Sequence, residues 1–181
     1  MKYLTLTNEN ITSMKKDEFN LIEAPTGNGK TTAVICDLGG YCETNNKTML
    51  YLVPRKSLEE KLLFEYGNID TITFHTYQYV GKRLERNNFD DVYNYIIFDE
   101  VHTLLTNSTY DFSCYKLVNY INNTSNDKTT FLGMTATADP VYCLQDNKQL
   151  KKEINKLNVK TYDNSTKGKI YLVHNKENLL K

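Results

Sequence analysis

Short apolar runs alternate along the chain with longer stretches whose apolar residues recur at helical spacing. Runs rich in β-branched and aromatic residues predict strands over 21–23, 49–53, 71–74, 95–98, 130–134 and 170–173. The stretches between them predict helices over 31–42, 57–66, 77–86, 112–121 and about 148–157. Strands that are apolar throughout and alternate with helices favour an α/β domain whose mostly parallel sheet is covered on both faces.

The composition is typical of a globular domain. The chain has 181 residues, of which 40% are hydrophobic, and this excludes a wholly disordered chain. Lys and Arg total 22, as do Asp and Glu, so any attraction to nucleic acid must come from local patches. No apolar run reaches the roughly 18–20 residues of a membrane helix. The polar N-terminus is not typical of a secretory signal, and the four cysteines lack zinc-site spacing. We therefore expect a cytoplasmic protein with reduced cysteines. We expect no membrane partner.

A glycine-containing segment follows the first predicted strand and opens the first predicted helix. Its residues are Ala24, Pro25, Thr26, Gly27, Asn28, Gly29, Lys30, Thr31 and Thr32. Glycines let backbone N–H groups turn toward phosphate oxygens, and the helix N-terminus adds its positive dipole end. Lys30 adds a charge that reaches the β- and γ-phosphates, and the Thr31 hydroxyl is a ligand for Mg²⁺. The segment predicts a phosphate loop, although Gly-Lys-Thr at a helix start can also be only a turn.

Two carboxylates, Asp99 and Glu100, end the predicted strand over 95–98. The carboxyl ends of parallel strands face the ligand crevice of an α/β sheet. Asp99 would hold Mg²⁺ directly or through water, and Glu100 would orient or deprotonate the attacking water. Such a pair is by itself often a solvated turn, and the phosphate loop upstream favours the catalytic interpretation.

These motifs together resemble the first RecA-like domain of a DExH-type helicase of superfamily 2. The matching segments, in chain order, are 24–32, 52–58, 76–78, 99–102 and 135–137. The resemblance implies a three-layer P-loop NTPase (RecA-like) fold with ATP and Mg²⁺ as cofactors. It also implies the ATP-binding half of a nucleic-acid-dependent ATPase, a helicase or translocase that moves on DNA or RNA.

The resemblance assigns roles to the remaining segments. The residues implied to contact a single nucleic-acid strand are Pro54, Arg55, Lys56, Ser57, Thr76, Tyr77 and Gln78. His102, Thr135 and Thr137 are implied to couple the nucleotide state to the grip on nucleic acid. Alternatives stay open, because the basic residues can be a solvated helix start and Tyr77 and Tyr79 can simply pack a helix. We expect His75 to be structural.

The resemblance also predicts the domain organisation. Residues 1–162 would form the ATP-binding RecA-like domain, and 163–181 a linker and the first strand of a second one. Because superfamily 2 helicases bind ATP between two such domains, a second domain in cis or in trans is implied. Two alternatives stay open. The first is a module that binds ATP and nucleic acid but does not hydrolyse ATP unless a second domain or a partner chain is present. The second is a phosphate-loop kinase or GTPase, which fits the loop but not the segments 99–102 and 135–137.

Overall fold

The computed structural model describes residues 2–124 and 128–163. The strands are β1 (Lys2–Thr5), β2 (Phe19–Glu23), β3 (Met49–Val53), β4 (Ile72–Thr76), β5 (Tyr95–Phe98), β6 (Thr130–Thr135), β7 (Ile154–Lys156) and β8 (Lys160–Asp163). The helices are α1 (Asn8–Thr12), α2 (Lys30–Ala33), α3 (Gly39–Thr44), α4 (Lys56–Tyr66), α5 (Tyr77–Glu85), α6 (Val101–Asn107), α7 (Phe112–Asn123) and α8 (Asp139–Asp146). A π-helical turn, Val34–Leu38, joins α2 to α3.

Six of the strands form one sheet in the order β4-β3-β5-β6-β2-β7, and every neighbouring pair is parallel. β1 and β8 form a separate antiparallel pair. The carboxyl ends of the six parallel strands therefore lie at the same edge of the sheet. The phosphate loop leaves β2, the acidic pair leaves β5, and β6 separates these two strands. This order places the phosphate loop, the acidic pair and Thr135 at the ends of β2, β5 and β6, which are consecutive in the sheet.

The sheet is covered on both faces, which makes the fold three-layered. Neighbouring residues of β2 show this, because Leu21 and Ile22 are both fully buried but belong to different apolar clusters. The cluster on one side includes α2, the π-helical turn, α3 and α4, together with α1. The cluster on the other side includes α5, α6, α7 and α8. The predicted α/β class with a mostly parallel, doubly covered sheet is confirmed.

The helix expected over about 148–157 is wrong. Lys148 has a left-handed backbone with φ of 59°, and Ile154–Lys156 is the edge strand β7, paired in parallel with β2. The segment contains good helix formers, but pairing with the neighbouring strand overrides this local preference. The strand predicted over 170–173 and most of the proposed second unit lie outside the described residues, so that division stays a prediction.

Candidate functional site

The phosphate loop turns through two glycines with left-handed backbones. Gly27 has φ of +82° and Gly29 has φ of +71°, a region that side-chain-bearing residues rarely adopt. Gly29 is also the N-cap of α2, so the helix begins directly at Lys30. At its other end the loop is fixed to the sheet, because the Ala24 N–H donates to the Thr135 carbonyl at 3.1 Å. The loop is therefore held between β6 and the start of α2.

The Lys30 ammonium is almost completely buried within this loop. The residue is 6% exposed, and Nζ donates to the carbonyls of Ala24 at 2.7 Å and Pro25 at 3.2 Å. Both acceptors are neutral, whereas a phosphate oxygen is charged and makes a stronger, charge-assisted hydrogen bond. An anion in the loop would thus offer this cation a better partner than the loop itself does.

Asp99 is the centre of the site and is 4% exposed. Its Oδ2 lies 3.4 Å from Thr31 Oγ1 and accepts from the Tyr51 hydroxyl at 3.2 Å. Burial and the nearby Glu100 carboxylate raise the pKa of Asp99 to about 6, against the opposing effects of Tyr51, Lys30 and Thr31. Asp99 is therefore half protonated near pH 6, and above that pH it carries its negative charge in a poorly solvated place.

The donor set at this point fits Mg²⁺. Thr31 and Asp99 present two hard oxygen atoms 3.4 Å apart. Mg²⁺ is usually held by one or two such protein ligands together with phosphates and water. Within the described ranges no group of three or more His, Cys, Asp or Glu residues could hold a metal. Water and the phosphates of a nucleotide would supply the other ligands of an ion held by Thr31 and Asp99.

Glu100 has an uncommon backbone conformation and a partly exposed side chain. It is the N-cap of α6 with φ of 52° and ψ of 51°, which costs a residue with a side chain about 1–2 kcal/mol. Its side chain is 32% exposed, and Oε2 lies 3.4 Å from His102 Nδ1. The carboxylate therefore lies at the surface of the site, where a water molecule can reach it, while its backbone is held by the structure around it.

His102 connects the acidic pair to the end of β6. Its Nδ1 lies 2.9 Å from Thr135 Oγ1, whose hydroxyl also accepts from the Thr137 N–H at 3.0 Å and contacts the Thr137 carbonyl at 2.8 Å. The carbonyl can only accept, so the single hydroxyl proton goes to it. His102 must then donate from Nδ1, which also suits the Glu100 carboxylate nearby. Thr137 joins this network through its backbone.

The comparisons with known proteins concern the family likeness and the fold of the chain. Residues 67–139, less than half of the chain, match the family model described as type III restriction enzyme, res subunit. The range includes the acidic pair and Thr135 but not the phosphate loop. No curated protein matches the chain. Among solved structures, the helicase domain of Hef from Pyrococcus furiosus matches 82% of this chain with a TM-score of 0.59 and 18% identity. The chain therefore has the fold of this helicase domain, with a mostly parallel sheet between two layers of helices. It spans 36% of the solved Hef chain.

The domain has a second group of polar residues at the same sheet edge, at the ends of β3 and β4. Arg55, Lys56 and Ser57 are exposed, and Pro54 and Gln78 are partly buried. Val53 and Thr76 are register partners, so the two segments start side by side. Thr76 caps α5 by accepting from the Tyr79 N–H at 3.2 Å. The residues implied to contact nucleic acid therefore begin from adjacent strand ends.

A groove of about 400 Å³ lies between α4 and α5. Its central carboxylate, Glu59, is 5% exposed and contacts Lys56 Nζ at 2.8 Å and His75 Nδ1 at 3.3 Å. The His75 ring lies over Tyr79, with centroids 4.1 Å apart. The sequence motifs include neither Glu59 nor Tyr79 as a site residue, and they indicate no partner for His75. The only signal in the sequence was the placement of these residues in or next to the motifs.

Tyr77 differs from its neighbours in this segment. Its side chain is 1% exposed, its ring packs 6.3 Å from that of Phe98, and its hydroxyl donates to the Asp99 backbone carbonyl. The ring therefore has no surface on which a base could stack. The first turn of α5 directs it under the helix into the core, which agrees with the packing alternative for this residue.

Within residues 2–124 and 128–163, no helix combines the length and apolar character needed to cross a membrane.

Proposed function

We propose that this chain is the ATP-binding half of a nucleic-acid-dependent ATPase of the DExH type, a helicase or translocase that uses ATP and Mg²⁺. The observation that carries the proposal is the meeting of Thr31 and Asp99 across 3.4 Å, next to the buried Lys30. These residues come from different strand ends and have the chemistry that a magnesium–triphosphate group requires. A cytoplasmic location, expected from the sequence, is part of the proposal.

The residues of the phosphate loop and the acidic pair would have separate roles in binding phosphate, holding Mg²⁺ and accepting a proton. Backbone N–H groups around Gly27 and Gly29 would bind phosphate oxygens, and Lys30 would exchange its carbonyl partners for the β- and γ-phosphates. Thr31 and Asp99 would hold Mg²⁺, which lowers the charge repulsion on the phosphates when it is bound. Glu100 would accept a proton from the attacking water, because its carboxylate is exposed enough for water to reach it.

The neighbouring strand ends would bind the nucleic acid. Exposed cations at Arg55 and Lys56, next to a helix N-terminus and the groove between α4 and α5, suit the phosphate backbone of one strand of DNA or RNA. Pro54, Ser57, Thr76 and Gln78 complete this segment of the proposal. Because the net charge of the chain is zero, the attraction must act locally at this edge.

A second RecA-like domain, in cis or in trans, would complete the ATPase. The solved Hef relative is a helicase domain, and this chain spans 36% of it. An arginine supplied from outside the domain can change phosphoryl-transfer rates by about 10³–10⁵. The chain alone would then bind Mg²⁺ and ATP but turn ATP over slowly, which is the binding-module alternative.

The test is ATP binding and turnover by the purified chain, with and without single-stranded DNA or RNA. Lys30→Ala should weaken nucleotide binding by at least roughly 100-fold, because two charge-assisted contacts to phosphate are lost. Lys61→Ala is the matched control, since Lys61 is an exposed lysine of α4 paired with Glu65. It should bind nucleotide as the unchanged chain does.

The outcomes separate the two forms of the proposal. Turnover stimulated by nucleic acid, absent in Lys30→Ala, supports an ATPase that completes its own site. Mg²⁺-dependent ATP binding without turnover supports a half-site that needs a second domain. Absence of both binding and turnover contradicts the proposal.

A further inference from the structure

The Tyr77 hydroxyl is a buried hydrogen-bond donor that the proposed function does not use. It donates to the backbone carbonyl of Asp99. The side chain is 1% exposed, so solvent does not compete for this hydrogen bond. Its acceptor belongs to a residue of the site, although not to that residue's carboxylate.

The acceptor carbonyl fixes more than Asp99. The carbonyl of Asp99 and the N–H of Glu100 belong to one planar peptide group, so holding the oxygen sets the orientation of the whole group. That group leads directly into the left-handed backbone of Glu100, with φ of 52° and ψ of 51°. A conformation of this kind persists only when its surroundings hold it. Tyr77 supplies such a contact.

The position of Tyr77 in the chain connects its hydrogen bond to the residues proposed to bind nucleic acid. Tyr77 is the first residue of α5, between the capping Thr76 and the partly buried Gln78. Both flanking residues belong to the edge proposed to bind nucleic acid. A shift of the α5 N-terminus would therefore move the Tyr77 hydroxyl, and with it the peptide group before Glu100.

We propose that Tyr77 is a positioning residue that transmits occupancy of the β3–β4 edge to the backbone of Glu100. This inference rests on the proposed function and deepens it. The route is a single buried hydrogen bond between two strand ends, β4 and β5, that are not neighbours in the sheet. It differs from the His102–Thr135 contact, which joins β5 to β6.

Tyr51 offers a matched control within the same site. It is also fully buried, and its hydroxyl also bonds Asp99, but at the carboxylate Oδ2 instead of the carbonyl. Tyr51 lies within β3 and does not flank the edge residues. Tyr77→Phe and Tyr51→Phe each remove one buried hydroxyl from Asp99, and only Tyr77→Phe breaks the proposed route.

The experiment measures coupling between two ligands of the full chain. The chain is titrated with a fluorescent ATP analogue in the presence of Mg²⁺, with and without a saturating single-stranded oligonucleotide. The coupling factor is the Kd of the analogue without the oligonucleotide divided by its Kd with the oligonucleotide. This ratio cancels any loss of affinity that is the same in both titrations, as a merely structural role would give. Tyr77→Phe should reduce the factor by about fivefold, toward 1, which corresponds to one lost hydrogen bond. Tyr51→Phe should leave the factor as it is in the unchanged chain.

A second measurement needs no substitution. Amide hydrogen exchange of the segment from Asp99 to Leu104 in the unchanged chain should slow when the oligonucleotide binds. A coupling factor that Tyr77→Phe leaves unchanged, or that Tyr51→Phe reduces equally, overturns the inference. So does a factor of 1 in the unchanged chain, or exchange that does not respond. Failure of the unchanged chain to bind the Mg²⁺–ATP analogue overturns the proposed function as well.

Discussion

The two parts of one sheet edge hold their charges in opposite ways. At the ends of β2 and β5, Lys30 and Asp99 are 6% and 4% exposed, and the protein's own groups contact both of them. At the ends of β3 and β4, Arg55 and Lys56 lie in solvent, and Lys56 is paired with Glu59 at 2.8 Å. The first part is preorganised around its buried charges, whereas the second presents its cations to solvent.

This difference predicts how each part responds to substitution. Buried charges in fixed positions contribute strongly to binding and chemistry, because little solvent screens them and little reorganisation is needed. Exposed cations on a surface contribute modestly and are screened by salt. We therefore expect large and specific effects at the β2–β5 edge, and small, salt-dependent effects at the β3–β4 edge.

The largest effect is expected at Glu100. Glu100→Gln keeps the size of the side chain but removes the base, so nucleic-acid-stimulated turnover should fall by about 10²–10⁴-fold. The affinity for ATP with Mg²⁺ should change little, because Glu100 is not among the groups proposed to hold phosphate or metal. Steady-state turnover in the form completed by a second domain, together with equilibrium nucleotide binding, checks both statements.

Glu60→Gln is the control for this substitution, since Glu60 is an exposed residue of α4. If turnover by Glu100→Gln equalled that of this control, Glu100 would not be the base. The preorganised edge would then owe its chemistry to another group.

Substitution of Asp99 measures how much its buried charge lowers the free energy of unfolding. Burial and Glu100 raise its pKa from 3.8 to about 6, so between these values the folded chain holds a proton that the unfolded chain has released. The free energy of unfolding contributed by Asp99 therefore decreases as pH rises through this window. Above it, the ionised carboxylate destabilises the fold by about 2–3 kcal/mol. Asp99→Asn should thus stabilise the ligand-free chain at pH 8 by about this amount and remove the Mg²⁺ dependence of ATP binding.

Urea unfolding at pH 8 and at pH 4.5 measures this effect, with Asp146→Asn as the control at an exposed carboxylate. The gain should fall to about 1 kcal/mol at pH 4.5, which lies inside the window between 3.8 and about 6, because Asp99 is then protonated in the folded chain but mostly ionised in the unfolded one. An Asp99→Asn chain that is less stable than the control at pH 8 would contradict the buried-charge argument. It would show that the contacts of Asp99 outweigh the desolvation of its charge.

The same contrast explains how much could be predicted from the sequence. Phosphate loops need glycines at left-handed positions, a lysine and a hydroxyl in fixed order, so the segment around Gly27 and Lys30 is readable locally. The strand before Asp99 can also be predicted from local sequence, because a continuous apolar run indicates a buried strand. The doubly covered parallel sheet then follows from the alternation of strands and helices.

The missed features depend on contacts between distant parts of the chain. Tyr51 reaches Asp99 across 48 positions, and Tyr77 reaches it across 22, which no local pattern indicates. Likewise, the pairing of Ile154–Lys156 with β2 converts a helix-forming segment into a strand. Glu59 and His75 meet only because β4 lies beside β3 and brings α4 next to the start of α5.

The smallest effect is expected at the β3–β4 edge, where Arg55 and Lys56 differ in one respect. Lys56 is held by Glu59, whereas Arg55 has no ion pair among the described residues. Arg55→Ala should therefore weaken binding of a single-stranded oligonucleotide more than Lys56→Ala does, by a few-fold at low salt. It should also reduce the dependence of log Kd on log salt by about 0.7–1.

Glu59→Gln should strengthen binding, because it releases Lys56 from its partner. Fluorescence anisotropy over a range of salt concentrations distinguishes these cases. Equal losses for Arg55→Ala and Lys56→Ala, with no gain for Glu59→Gln, would mean that the Lys56–Glu59 pair opens at no cost and that both cations contribute equally to binding.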